Sequence, residues 1–190
     1  MYKINEIFYS LQGEGFWTGT PMVFLRFSGC NLKCPFCDTD HKGFREMLAK
    51  EIVEEVVKAG GECGRVCVTG GEPSLQLDKE LVDALHEAGF KVHVETNGTR
   101  VLPEGVNWVT VSPKTDVEGL QGDGTVVLDK ADEVKVVYQG KDVEKWAEFP
   151  AMWHFLQPCS CENTAETVDY IRRHPRWRLS LQTHKYLNIR

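Results

Sequence analysis

The sequence predicts an α/β fold: a partial, truncated TIM-like barrel of parallel strands in which some helical crossovers are reduced to loops. Short runs rich in Val, Leu and aromatic residues alternate with amphipathic helical stretches, the pattern of strand–crossover–strand units. The chain has 190 residues, whereas a complete eight-fold barrel typically takes about 250. No repeat, low-complexity tract or linker divides it, so residues 1–190 are expected to form a single domain.

The strands are expected at Val23–Phe27, Arg65–Thr69, Lys91–Glu95, Trp108–Val111, Glu133–Tyr138, Trp153–Leu156 and Arg178–Gln182, each bounded by turn residues. A helix is expected over Glu46–Ala59, where Leu48, Ile52, Val56 and Ala59 share one face. A second spans Asp78–Ala88, with Asp78 placed to cap its start and Gly89 its end. A third runs from Thr164 to His174, capped by Asn163 and stopped by Pro175. Arg172, Arg173 and His174 complement the carboxyl end of its dipole.

Composition narrows the function classes. A net charge of −6 argues against retention on nucleic acid or on an anionic membrane. No apolar run approaches the roughly 20 residues that span a bilayer, and the first residues lack the form of a signal peptide. A cytoplasmic location is therefore expected, in which the seven cysteines are reduced thiols or metal ligands.

In parallel α/β folds the loops after the strands open onto one ligand-binding face. Here Cys30–Thr39, Gly70-Gly71-Glu72-Pro73, Thr96-Asn97-Gly98, Ser112-Pro113-Lys114 and Gln157-Pro158-Cys159-Ser160 all follow expected strands, which points to one composite site. Cys30-x3-Cys34-x2-Cys37 is the strongest signal among them. Three thiolates suit zinc or an iron–sulfur cluster. The second Cys or Cys/His pair common in zinc fingers is not evident, although a distant cysteine could complete such a site. On a four-iron cubane, three thiolates leave one iron open, as a catalytic centre requires.

The triplet followed by Gly70-Gly71-Glu72-Pro73 resembles the radical S-adenosylmethionine (SAM) superfamily. That resemblance implies a [4Fe-4S] cluster on Cys30, Cys34 and Cys37, whose open iron chelates SAM and whose electron releases a 5′-deoxyadenosyl radical. Leu11-Gln12-Gly13-Glu14-Gly15, the Cys37-Asp38-Thr39 extension, Thr69 and Leu181-Gln182-Thr183-His184-Lys185 are together similar to the 7-carboxy-7-deazaguanine synthase family, over essentially the whole chain. The likeness implies conversion of 6-carboxy-5,6,7,8-tetrahydropterin to 7-carboxy-7-deazaguanine with loss of ammonia, on the route to queuosine and related deazapurines. SAM is regenerated in that reaction.

Carried onto matching positions, the resemblance assigns SAM contacts to Phe36, Cys37, Asp38, Gly71, Ser112, Pro113, Lys114, Gln157, Pro158, Cys159 and Ser160. Thr39 matches a magnesium ligand. Leu11, Gln12, Gly13, Arg26, Thr69, His184 and the terminal carboxylate of Arg190 match substrate contacts, and a guanidinium such as Arg26 suits a carboxylate. A homodimer and a flavodoxin-like or ferredoxin-like electron donor are implied. This chain is shorter than many members between Thr39 and Thr69, and Arg190 sets a positive charge beside the carboxylate invoked.

Other polar residues admit two readings. His41 is either a substrate contact or an exposed loop histidine, and His93 faces either a packed layer or the site. Glu95 either meets the site or pairs with a lysine; Lys114 either reaches SAM or is solvated. Cys67 is expected to pack as a small apolar residue and Cys63 to sit in a turn. Cys159 and Cys161 hold SAM by backbone groups or form an auxiliary metal site. The rival functions are a glycyl-radical activating enzyme and a non-catalytic iron–sulfur or metal-binding module.

Overall fold

Tyr2–Leu11 (β1) and Pro21–Phe27 (β2) form an antiparallel hairpin. A short third strand, Arg45–Met47 (β3), pairs antiparallel with the start of β1. Six strands follow β2 in parallel: β4 (Arg65–Gly70), β5 (Lys91–Thr96), β6 (Trp108–Val111), β7 (Ala131–Tyr138), β8 (Ala151–Pro158) and β9 (Arg178–Leu179). The sheet order is β3-β1-β2-β4-β5-β6-β7-β8-β9. This computed structural model describes residues 1–39 and 43–190, so the reading of His41 lies outside the described residues.

Helices α1 (Ala49–Gly60), α2 (Lys79–Glu87), α3 (Glu144–Ala147) and α4 (Thr164–Arg173) cover one face of the sheet, and α5 (Thr183–Leu187) ends the chain. The connections from β5 to β6 and from β6 to β7 contain no helix, which is the reduction expected from the chain's length. Alternation along each strand sorts side chains onto two faces. Val23, Leu25, Phe27, Val66, Val68, Val92 and Val94 point outward and bury α1 and α2 through Ile52, Val56, Leu81 and Leu85. A second cluster buries Val111, Val134, Val136 and Leu156 with Tyr170 and Trp177. Each fully buried aliphatic side chain contributes about 1.5–3 kcal/mol, so the outer face stabilises the fold and leaves the inner face for chemistry.

At the strands' N-terminal ends the inner face is aromatic. Phe16 stacks on Trp108 and Trp153 at 5.1 and 5.0 Å, and Trp17 meets His93 at 5.0 Å. His93 therefore belongs to a packed layer, where burial and the nearby Arg65 and Lys91 cations bring its pKa down to about 4.

The structure departs from expectation at several places. β1 was not foreseen, because its alternation is masked by Asn5, Glu6 and a register shift between Ile4 and Glu6. Arg45–Met47 pairs with β1 instead of starting α1, so the helix begins at Ala49 and Leu48 is exposed. The last strand shrinks to Arg178–Leu179, since Ser180 and Gln182 turn inward to bond Gln157 and Glu14. Asn163 precedes α4 as expected, yet its side chain ties loops together: Oδ1 accepts from the Cys159 amide and Nδ2 donates to the Tyr138 carbonyl.

Candidate active site

The loops after β2, β4, β5, β6 and β8, with Lys135 and Val137 of β7, surround a cleft of about 860 Å³. Its wall includes Cys30, Cys34 and Cys37 from the loop after β2, which the rest of the fold pins from several sides. Lys33 exchanges two backbone hydrogen bonds with Gln121. Asn31 donates to Thr99 Oγ1 at 2.8 Å and accepts from Asn97 Nδ2 at 3.0 Å.

The Gly70–Gly71 pair sits against the same loop. Gly71 N donates to the Phe27 carbonyl and Glu72 N to the Gly29 carbonyl, at 3.0 and 2.9 Å. A Cβ on Gly71 would lie 1.9 Å from Gly29 O. Gly70 adopts φ +127° with no room for a Cβ beside Phe27, so both positions require glycine. Glu72, fully buried, accepts from Ser74 N, Thr96 Oγ1 and Asn97 N at 3.0, 2.6 and 2.7 Å. The Gly-Gly-Glu-Pro turn thus locks the ends of β4 and β5 to the cysteine loop.

The donor set fits a cubane. Among the described residues no three His, Cys, Asp or Glu side chains gather to hold one metal ion, whereas a cluster takes each thiolate on a separate iron. Burial pushes the Cys30 and Cys34 thiols up, so loading a metal centre there releases protons.

Leu11, Gln12, Gly13, Arg26, Thr69, His184 and Arg190 line the same cleft. The His184 ring fills the space a Gly13 Cβ would need, and Thr183 N and Oγ1 both donate to the Gly13 carbonyl at 2.9 and 3.0 Å. Arg26 Nε donates to Glu6 Oε1 at 2.8 Å. Arg190 pairs with the same Glu6 and lies over the Phe8 ring, while its carbonyl oxygen accepts from Ser10 Oγ. Phe36, Asp38, Thr39, Gly71, Ser112, Lys114, Gln157, Pro158 and Ser160 also reach the cleft. Pro113, which is buried, and Cys159 are not on its wall. Lys114 is not a solvated lysine: Nζ donates to the Ser112 carbonyl and Oγ, and burial lowers its pKa.

The sequence reading missed a buried charged ring. Lys135 pairs closely with Glu14 and lies 3.5 Å from Glu95, and all three face the cleft. Glu95 also accepts from Gln12 Nε2 at 3.0 Å and Thr69 Oγ1 at 3.2 Å, so it meets the site and pairs with a lysine together. Gln182 Nε2 donates to Glu14 at 2.9 Å. The ammonium outweighs desolvation at Glu14 and brings its pKa down to about 2. One layer below, burial raises Glu133 to about 7. Glu133 and Lys135, two residues apart and alternating with Val134 and Val136 in β7, were the available signal, since a strand with charged alternate positions has a polar interior face. Cys67 packs with Met22 and Phe24, as expected.

A three-cysteine loop held at the carboxyl ends of a parallel sheet, against a glycine pair and a deep polar cleft, defines a radical SAM enzyme, and the Radical SAM superfamily model matches residues 25–121. The 7-carboxy-7-deazaguanine synthase of Bacteroides thetaiotaomicron is 58% identical over the full length of both chains. That of Burkholderia multivorans is 42% identical over 99% of each. The crystal structure of QueE from Escherichia coli superimposes with a TM-score of 0.80 at 29% identity, covering 95% of this chain and 93% of that one. The chain belongs to the 7-carboxy-7-deazaguanine synthase family.

Proposed function

We propose that the chain converts 6-carboxy-5,6,7,8-tetrahydropterin to 7-carboxy-7-deazaguanine with loss of ammonia. The observation that carries this reading is the coincidence, in one cleft, of the cysteine loop with Gln12, Arg26, Thr69 and His184, in a chain 58% identical to a synthase over its full length. Cys30, Cys34 and Cys37 would hold the [4Fe-4S] cluster, with Phe36, Asp38, Gly71, Ser112, Lys114, Gln157 and Ser160 around SAM. When bound, the cluster and SAM supply a carbon-centred radical that abstracts hydrogen from the substrate.

The chain's own residues bind and orient. Arg26 offers a guanidinium fork for the substrate carboxylate, and Thr39 a hydroxyl for a Mg²⁺ ion that takes few protein ligands. Gln12, Thr69 and His184 bracket the pterin ring, and the aromatic layer closes the far end of the barrel. Such positioning raises the rate by holding reacting atoms in register. A reductant of the flavodoxin or ferredoxin class and a homodimeric assembly complete the proposal.

The test is anaerobic cluster reconstitution followed by incubation with SAM, a reductant, Mg²⁺ and carboxytetrahydropterin. Formation of the deazaguanine is the expected result. SAM cleavage without that product would favour a glycyl-radical activating enzyme instead.

A further inference from the structure

The buried ring around Lys135 has a chemistry that substrate contacts alone do not account for. Side-chain exposure is 5% for Lys135, 16% for Glu14 and 24% for Glu95, so the ammonium is the most enclosed member of a group that opens onto the cleft. Gln12 is gripped at both ends of its amide: Nε2 donates to Glu95, and Oε1 accepts from the Glu14 backbone N–H at 3.1 Å. Thr69 Oγ1 donates to the other Glu95 oxygen.

We propose, building on the pterin reading above, that Lys135 is a positioning residue for substrate: by pairing with Glu14 and Glu95 at once, it fixes where both carboxylates sit and so dictates how Gln12 and Thr69 present their polar atoms to the ring. Gln12 Nε2 and Thr69 Oγ1 each point a hydrogen at Glu95, so the direction of both side chains follows the place of that carboxylate.

Lys135 is the cation that holds Glu95 in place. Glu14 from the loop after β1, Glu95 from β5 and Glu133 from β7 crowd together, and like charges in a buried space repel unless a cation lies among them. The other charged groups nearby are His184 of α5, whose charge favours ionised Glu14, Lys114 after β6, and Arg26 of β2. Lys114 is engaged with Ser112 and Arg26 with Glu6. Neither makes an ion pair with Glu95, and Lys135 does.

The experiment measures binding of 6-carboxypterin, as a stable probe, to the reconstituted enzyme with SAM and Mg²⁺, by equilibrium dialysis. Lys135→Met should bind the probe about 30-fold more weakly, the loss expected when one partner of a buried charge pair is removed, while SAM binding is unchanged. Lys135→Arg should restore most of the affinity. If Lys135→Met does not load iron, the double variant Glu14→Gln/Lys135→Met removes one charge of each sign and should show a smaller loss of the same kind. No loss of probe affinity, or an equal loss of SAM and probe affinity, overturns the role of Lys135. Failure of the wild type to make deazaguanine or to bind the probe would instead overturn the pterin reading.

Discussion

Thr39 stands where a single oxygen can matter most. It is half-buried on the cleft wall, two residues beyond the last cysteine of the triplet, and its carbonyl lies 3.8 Å from Cys37 Sγ. The proposed Mg²⁺, held by this hydroxyl and by substrate oxygens, would depend on the hydroxyl for its place. Thr39→Ala should therefore lower turnover by about tenfold or more and abolish its dependence on Mg²⁺, while SAM binding persists. Rates measured across a magnesium titration check this, and an unaltered magnesium response would remove Thr39 from the metal site. Gly71 shows a different kind of single-residue constraint. Its role is a missing atom, because the Gly29 carbonyl occupies the place of a Cβ. That adds a packing reason to a glycine which the resemblance assigned to SAM.

At the level of elements, β7 carries the clearest conflict between folding and function. Its outward residues Val134, Val136 and Tyr138 pack in the core, while inward Glu133 and Lys135 carry charge. Glu133 accepts from Phe16 N at 2.9 Å and is 2% exposed. Burial raises its pKa from 4.5 to about 7, so the folded state binds more protons than the unfolded state between those values. Stability must fall as pH rises through that window. Gln at 133 keeps the acceptor for Phe16 without the titration. Glu133→Gln should narrow the difference in Tm between pH 5 and pH 8 by about 5 °C, corresponding to roughly 2 kcal/mol. Anaerobic melting of both proteins decides it, and equal differences would show that Glu133 does not titrate there. The same strand shows what was legible in the sequence. Short apolar runs gave β4 to β8 with edges within about two residues, because outward Val residues must cover helices. The cysteine and glycine motifs were legible because their chemistry is local. The Glu14–Lys135 pair was not, since its partners are 121 residues apart and meet only once the barrel curves.

The whole molecule is an open barrel whose gap is closed by its chain ends. The sheet has two edges, β3 and β9, and among the described residues no strand pairing joins them. The segment after β1 spans the opening instead: Gly15 N donates to Ser180 Oγ, Glu14 accepts from Gln182, and Gly13 accepts from Thr183. The final helix adds His184 against Gly13, and Lys185 reaches Gln182 and Asp38 at 2.7 and 3.2 Å. None of the α5 residues is buried, so this closure contributes little to the apolar core and much to the shape of the cleft. Its absence should separate the two halves of the site, because the cysteine loop is held independently by Asn97, Gln121 and the Gly70–Gly71 turn. Deleting Thr183–Arg190 should leave iron loading intact and shift Tm by only a few degrees. The KM for carboxytetrahydropterin should rise about tenfold or more, a loss of roughly 1.4 kcal/mol in substrate binding, and SAM should then be cleaved without matching product. Parallel measurement of 5′-deoxyadenosine and deazaguanine tests this. A truncated enzyme with unchanged KM and full coupling would place substrate recognition on the strands alone.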